Sequence, residues 1–179
     1  MLRLTLPAIE LWDELNQEFI YAKELTLQLE HSLVSLSKWE SRWHKPFLHT
    51  PLNFEQTLDY VRCMTLTQNV SPETYYRLTD AHIEQIRAYI EDPMTATTFR
   101  EEKASKRNHE IITAEIIYYW MSTMQIPIDC QKWHLNRLLT LIRVCSLKNA
   151  PAKKMSKRET ISQYAALNEA RKKQLNTKG

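Results

Sequence analysis

Apolar and polar residues alternate in two segments near the start of the chain, 2–6 and 25–29. A period of two is typical of half-buried strands, and residues 18–21 have the composition of another short strand. We therefore predict a small antiparallel β element within residues 1–31. A helix over residues 24–36 is the alternative, because leucines also recur there at helical spacing.

Beyond residue 33 the apolar positions follow a helical period, and prolines divide the chain into short helices. The predicted helices are 34–43, 54–64, one that begins at Pro72, one that Asp80 caps and Pro93 ends, 109–124, 131–147 and 156–175. Residues 94–108 are polar, so we predict a loop there. The expected core residues are Leu58, Ile83, Ile86, Ile112, Ile116, Trp120, Leu135, Leu138 and Ile142. The pattern thus predicts a mainly α fold with a small N-terminal antiparallel β element.

Glycine is almost absent, which excludes several functional classes. The single glycine among 179 residues is Gly179. The P-loop, the dinucleotide-binding GxGxxG turn, the GxSxG nucleophile elbow and the standard calcium loop all need an internal glycine. Left-handed backbone positions at turns and helix ends are expected to use Asn or Asp instead.

Charge is divided unevenly along the chain. Residues 148–179 hold nine Lys and Arg against two Glu, a balance of +7, whereas residues 1–147 hold 15 against 19, a balance of −4. We place a boundary near residue 149. It separates a mostly helical globular domain, 1–149, from a basic and partly helical C-terminal tail, 150–179.

Residues with catalytic or metal-binding potential do not form a recognisable constellation. Cys130 and His134 lie four residues apart, but a buried thiol beside a surface or capping histidine is the favoured interpretation. The histidines are scattered without paired ligand spacing. The triplet at 101–103, Glu-Glu-Lys, lies in the predicted loop and is expected to be solvated. We predict no enzymatic activity, no cofactor and no metal.

The cysteines and the lack of long apolar runs indicate the cellular compartment of the protein. Cys63, Cys130 and Cys145 form an odd set, which favours free thiols in a reducing cytoplasm. The N-terminal residues become acidic before a signal-peptide core could form, and no uncharged apolar stretch is long enough to span a membrane.

Two groups of residues are candidates for an interface. Trp39 and Trp43 share a predicted helical face, where such a pair forms either core or an interaction anchor. The tail supplies two cationic clusters that could dock on an acidic protein surface or on phosphates. These clusters are Lys153, Lys154, Lys157 and Arg158, followed by Arg171, Lys172 and Lys173. One aromatic residue in the tail, Tyr164, offers no base-stacking platform, so nucleic acid is the disfavoured partner.

Several stretches together resemble a family of tailed-phage proteins known as tail assembly chaperones. They are SLSKWESRWHKPFL (35–48), YVRCMTLTQ (60–68), YIEDPMTATTF (89–99), ITAEIIYYWM (112–121), WHLNRLLTLIRVCSLKN (133–149) and the tail segment 151–179. The resemblance implies a non-enzymatic protein that binds the tape measure protein in the host cytoplasm during tail assembly. It supplies no catalytic residues.

Two further functions remain open at this point. The chain could be a structural subunit of the tail, baseplate or neck, held in the virion by the same tryptophan-rich surfaces. It could also be a small nucleic-acid-binding factor, on the strength of its tail alone. Other tail proteins as partners and self-association into a homo-oligomer are compatible with either protein-binding function.

Overall fold

The computed structural model describes residues 1–13, 17–99, 110–150 and 157–175. Within them the chain forms six α-helices, three short 3-10 helices and four strands, which confirms the mainly α fold. The strands are β1 (Leu2–Leu6), β2 (Ile9–Asp13), β3 (Glu18–Ala22) and β4 (Leu25–Leu29). The α-helices are α1 (Leu33–Trp43), α2 (Phe54–Met64), α3 (Asp80–Glu91), α4 (Ala114–Thr123), α5 (Leu135–Asn149) and α6 (Lys157–Leu175). The 3-10 helices are Phe47–His49, Pro72–Arg77 and Ile128–Lys132.

The four strands form one interrupted antiparallel ribbon. β1 pairs with β4 and β2 pairs with β3. Leu6 lies opposite Leu25 and Ile9 lies opposite Ala22, so both ladders share one register across the break between them. The predicted antiparallel element is confirmed, and β2 is an additional strand that the alternation did not reveal.

The alternative helix over residues 24–36 is wrong. As a strand, β4 buries Leu27 and Leu29 completely, and both leucines join the core with Leu4 and Leu6 of β1. A helix would have placed Leu27 away from that face. The helical segment begins only at Leu33, after the Ser32 side chain has capped the helix by accepting the Ser35 N–H.

Helix α1 lies between two hydrophobic clusters. Trp39 packs with the leucines of β1 and β4 and with α2 and α3, whereas Leu33 and Leu36 pack with α4 and α5. The expected core is confirmed at Leu58, Ile86, Leu135, Leu138 and Ile142, which are buried. Ile83, Ile112, Ile116 and Trp120 are only half-buried. On α4 the inward position is Ile117, so the prediction was one residue out of phase.

Several predicted helix starts are corrected by the structure, two of them through tertiary hydrogen bonds. The predicted 109–124 helix begins at Ala114, because the buried carboxylate of Glu40 accepts the Ala114 N–H at 2.7 Å. The predicted 131–147 helix begins at Leu135, whose N–H donates to the His31 carbonyl at 2.7 Å. The helix predicted to begin at Pro72 does begin there, and it is a 3-10 helix. Thr79, the residue before Asp80, caps α3.

Left-handed backbone conformations occur at five residues other than glycine among the described part of the chain. They are Gln17, His44, Asn69, Met94 and Gln125, with φ between 50° and 58°. Only Asn69 fits the expectation that Asn or Asp would fill such positions. His44 ends α1 in this conformation, and its N–H donates to the Glu40 carbonyl. The polypeptide therefore accepts a Cβ at positions that usually favour glycine.

The chain divides into two compact units, residues 1–146 and 147–179. The first holds both hydrophobic clusters. The second contains α6, whose apolar residues Ile161, Tyr164, Leu167 and Leu175 are exposed. The predicted boundary near residue 149 remains a prediction. No helix among the described residues is both long and apolar enough to cross a membrane.

Candidate partner-binding groove

A buried carboxylate connects α1 to α2. Asp59 of α2 accepts a hydrogen bond from the indole Nε1–H of Trp43 at 2.9 Å and forms an ion pair with Arg42, both at the end of α1. The guanidinium of Arg62, one turn further along α2, lies 3.9 Å from the same carboxylate. The Asp59 side chain is 8% exposed, so these groups satisfy a charge that burial would otherwise make costly.

The two candidate tryptophans have different environments. Trp39 is completely buried, and its Nε1–H donates to the Gln56 carbonyl at 3.0 Å. It belongs to the core, so the predicted interface is corrected at this position. Trp43 is half-buried and stacks on Trp39 with ring centroids 6.2 Å apart and 28° between the planes. Trp43 is thus a rigid aromatic surface, held from below by Trp39 and at its edge by Asp59.

Two adjoining cavities of about 490 and 500 Å³ lie along this junction, and we call them together the Asp59 groove. Arg42, Arg62 and Tyr75 line both cavities. The first is also lined by Trp43, Phe54, Glu55, Leu58, Asp59, Pro72 and Tyr76, and the second by Lys38, Ser41, Cys63 and Val70. The groove therefore combines an aromatic lining with three cationic side chains, Lys38, Arg42 and Arg62, and two acidic ones, Asp59 and Glu55.

The arginines keep donors available to a ligand. The side chains of Arg42 and Arg62 are 54% and 44% exposed, although both are oriented by Asp59. Arg62 also lies over the Tyr75 ring, with its guanidinium carbon 5.9 Å from the ring centroid. A guanidinium has five N–H donors and is suited to carboxylates. The groove can therefore accept an acidic group that lies beside an apolar one.

The thiol in the groove is not poised for nucleophilic chemistry. Burial, reinforced by the negative charge of Asp59, raises the pKa of Cys63 to about 11. Because the thiolate is the reactive form, this shift disfavours nucleophilic chemistry at Cys63 near neutral pH.

The Cys130–His134 segment forms part of the interior. Both residues are buried, so the thiol is buried as expected, and of the two alternatives for His134, surface or capping, the surface one does not apply. His134 immediately precedes α5, and its carbonyl accepts the Leu138 N–H, as a capping residue does. Its Nε2–H donates to the Tyr89 carbonyl at 3.0 Å, and its Nδ1 has no hydrogen-bond partner among the described residues. A ring held in this way orients backbone segments.

The cationic candidates of the tail are only partly described. Arg171, Lys172 and Lys173 are exposed in the last turns of α6. Lys157 and Arg158 lie in its first turn, whereas Lys153 and Lys154 fall outside the described residues. The Glu-Glu-Lys triplet of the predicted 94–108 loop also lies outside them. No group of three or more potential metal ligands occurs in the described part of the chain.

The sequence did not reveal the residues that organise the groove. Asp59, Arg42 and Arg62 become significant only when α1 packs across α2. The available signal was a carboxylate on the apolar face of α2, between Leu58 and Tyr60.

No protein-family model, no curated protein and no solved structure matches the chain.

Proposed function

We propose that the protein is a non-enzymatic binding protein that holds a segment of a client protein in the Asp59 groove. The observation that carries the proposal is the buried Asp59 carboxylate, which orients Arg42 and Trp43 towards an open cavity. Arginine and tryptophan side chains dominate binding energy at protein interfaces. Their fixed geometry reduces the side-chain entropy that binding would otherwise cost.

The client segment is expected to be an amphipathic helix that carries carboxylates beside apolar residues. Such a helix presents one row of side chains to a groove between two helices. Its apolar side chains would contact Trp43 and the exposed Phe54 and Tyr76, and its carboxylates would contact Arg62 and Lys38.

The resemblance to tail assembly chaperones gives this proposal a specific form. The client is then the tape measure protein or another tail protein, which the chaperone keeps soluble in the host cytoplasm until tail subunits assemble around it. The exposed basic residues of α6 would add electrostatic attraction for an acidic client.

Co-expression with the tape measure protein tests the client-holding function. Arg62→Glu reverses a charge in the groove, and Arg87→Glu makes the same change at an exposed position of α3 that pairs with Glu84. We expect the wild type and the Arg87 variant to increase the soluble fraction of the client, and the Arg62 variant to lose most of this effect. Equal solubilisation by both variants would contradict the groove as the client site.

A structural subunit of the tail or baseplate is the second candidate function, favoured by the same aromatic groove. Mass spectrometry of purified particles separates the two functions. A chaperone is absent from particles although it is expressed, whereas a subunit is present in fixed proportion to the other tail proteins. The third candidate, a nucleic-acid-binding factor, requires a salt-dependent mobility shift of duplex DNA.

A further inference from the structure

Strands β2 and β3 pair antiparallel, and we call these two strands, Ile9–Asp13 and Glu18–Ala22, the arm. Phe19 and Tyr21 are 64% and 66% exposed on it, although aromatic side chains are usually buried. The sequence of the two strands holds the acidic residues Glu10, Asp13 and Glu18 and no Lys or Arg. It is therefore an acidic element with exposed aromatic surface.

Arg77 anchors the base of the arm beside the Asp59 groove. The ribbon is interrupted between the two ladders, and there the Arg77 guanidinium donates to the carbonyls of Pro7 and Lys23. Arg77 ends the same 3-10 helix that supplies Pro72, Tyr75 and Tyr76 to the groove. The arm therefore leaves the body next to one wall of the groove, and none of its described residues lines the groove of its own chain.

An isolated two-stranded ribbon is marginally stable in water and gains from a partner. Pairing of two arms through their edges would bring acidic strands together without a compensating cation in either. The surface that complements the arm is instead cationic and aromatic. The Asp59 groove has both properties, because its three cations, Lys38, Arg42 and Arg62, outnumber its two acids, Asp59 and Glu55, and Trp43 is part of its lining.

We propose that the arm of a second copy of this chain occupies the Asp59 groove, and that reciprocal exchange of arms closes a dimer. Tyr21 and Phe19 contribute apolar area to the aromatic lining, and the carboxylate of Glu10 pairs with the cations of the rim. Glu10 lies directly opposite Tyr21 in the ribbon, so both side chains share one face. The inference rests on the proposed function in taking the groove as the binding surface, and the client then competes with the arm.

Charge reversal on each side of the contact tests the exchange. Glu10→Lys gives a cationic arm, and Lys38→Glu gives an acidic rim; both residues are exposed, so neither change should disturb folding. In a dimer of either variant alone, like charges meet at both arm–groove contacts. We therefore expect the dissociation constant of that dimer to rise roughly tenfold. An equimolar mixture of the two variants restores opposite charges at both contacts and should recover the dimer. Glu110→Lys, at another exposed acidic position, is the matched control.

Sedimentation velocity on the full chain measures these states. We expect the wild type and the Glu110 variant to form a species of twice the 21.3 kDa chain mass, and Tyr21→Ser to weaken it. A wild type that stays monomeric at about 100 μM overturns the inference. The inference is also overturned if neither charge reversal weakens the dimer, or if the mixture of the two variants does not recover it.

Failure of this inference and failure of the proposed function give different results. If the charge-reversal variants remain wild-type in mass but Arg62→Glu loses client solubilisation, the groove binds a client and the arm exchange is wrong. If the mixture recovers the dimer but Arg62→Glu solubilises the client normally, the arm occupies the groove and the client-holding function is wrong.

Discussion

The imidazole rings of His31 and His134 meet edge to face inside the protein, with centroids 5.1 Å apart. His31 Nδ1 is hydrogen-bonded to the Tyr60 hydroxyl at 2.5 Å, and His134 Nε2–H donates to the Tyr89 carbonyl. The Leu135 N–H also donates to the His31 carbonyl. The pair therefore joins the end of the ribbon to α2, α3 and the start of α5, and it connects the two hydrophobic clusters through polar contacts.

The first prediction is acid destabilisation through His31. Burial, with a smaller effect of the neighbouring His134, lowers the pKa of His31 from 6.5 to about 3. Because the unfolded chain binds this proton more readily, the stabilisation is complete above pH 6.5 and falls as pH falls towards 3. We expect a loss of about 1.4 kcal/mol per pH unit between these limits from this group.

Denaturant titrations at several pH values measure that slope. His31→Gln removes the titrating group and should flatten the curve, even if the variant is less stable at neutral pH. His44→Gln, at an exposed histidine, is the matched control. Identical slopes for the wild type and His31→Gln would show that another group controls the acid response.

The second prediction concerns the phase of α4. Ile117 is fully buried and Ile116 is half-buried. Ile117→Ala should cost about 2–5 kcal/mol of unfolding free energy, through lost burial and the cavity that remains. Ile116→Ala should cost clearly less, because solvent already reaches its side chain. Calorimetry or denaturant unfolding that ranks the two variants in the opposite order would contradict this placement.

The third prediction is that Asp59 stabilises the α1–α2 junction. Asp59→Ala leaves the Trp43 indole N–H without its acceptor and should cost about 1–3 kcal/mol. Asp59→Asn keeps an oxygen acceptor and should cost less. Glu55→Ala, at an exposed acid on the same helix, should stay within about 0.5 kcal/mol of the wild type. Tryptophan fluorescence during denaturant unfolding checks both the free energies and the environment of Trp43.

The fourth prediction is that residues 150–179 are dispensable for folding and contribute to docking. The exposed apolar side chains of α6 indicate that its removal costs little buried area. A chain truncated after Asn149 should keep its cooperative unfolding and lose affinity for an acidic partner. The loss should be largest at low salt, since screening acts over about 10 Å at 0.1 M. An insoluble truncated chain, or one with unchanged affinity at every salt concentration, would contradict this prediction.

Local sequence signals predicted the fold where they coincided with tertiary packing. Helix α2 has the predicted bounds, because Asn53 caps it and its apolar face is buried. The strands β1 and β4 follow the predicted alternation, because one face of each strand is buried in the core. The start of α4 could not be predicted, since it depends on a hydrogen bond from Ala114 to Glu40, 74 residues earlier in the chain.

The hydrophobic periodicity could not predict the groove either, because the groove also depends on tertiary packing. Trp39 and Trp43 lie on one face of α1, but α2 covers Trp39 and leaves Trp43 half-buried. Asp59 appears in the sequence as an ordinary helical acid. Its role comes from the crossing of two helices, which brings Arg42 to a residue 17 positions away.

The lack of internal glycine, which leaves other residues at the left-handed positions, has a consequence for the unfolded chain. Glycine samples more backbone conformations than any other residue, so a chain that lacks it internally has less entropy to lose on folding. Part of this gain is returned as local strain where Gln17, His44, Met94 and Gln125 hold a Cβ at positive φ. The protein thus gains stability from a restricted denatured ensemble, and its turns carry the corresponding conformational cost.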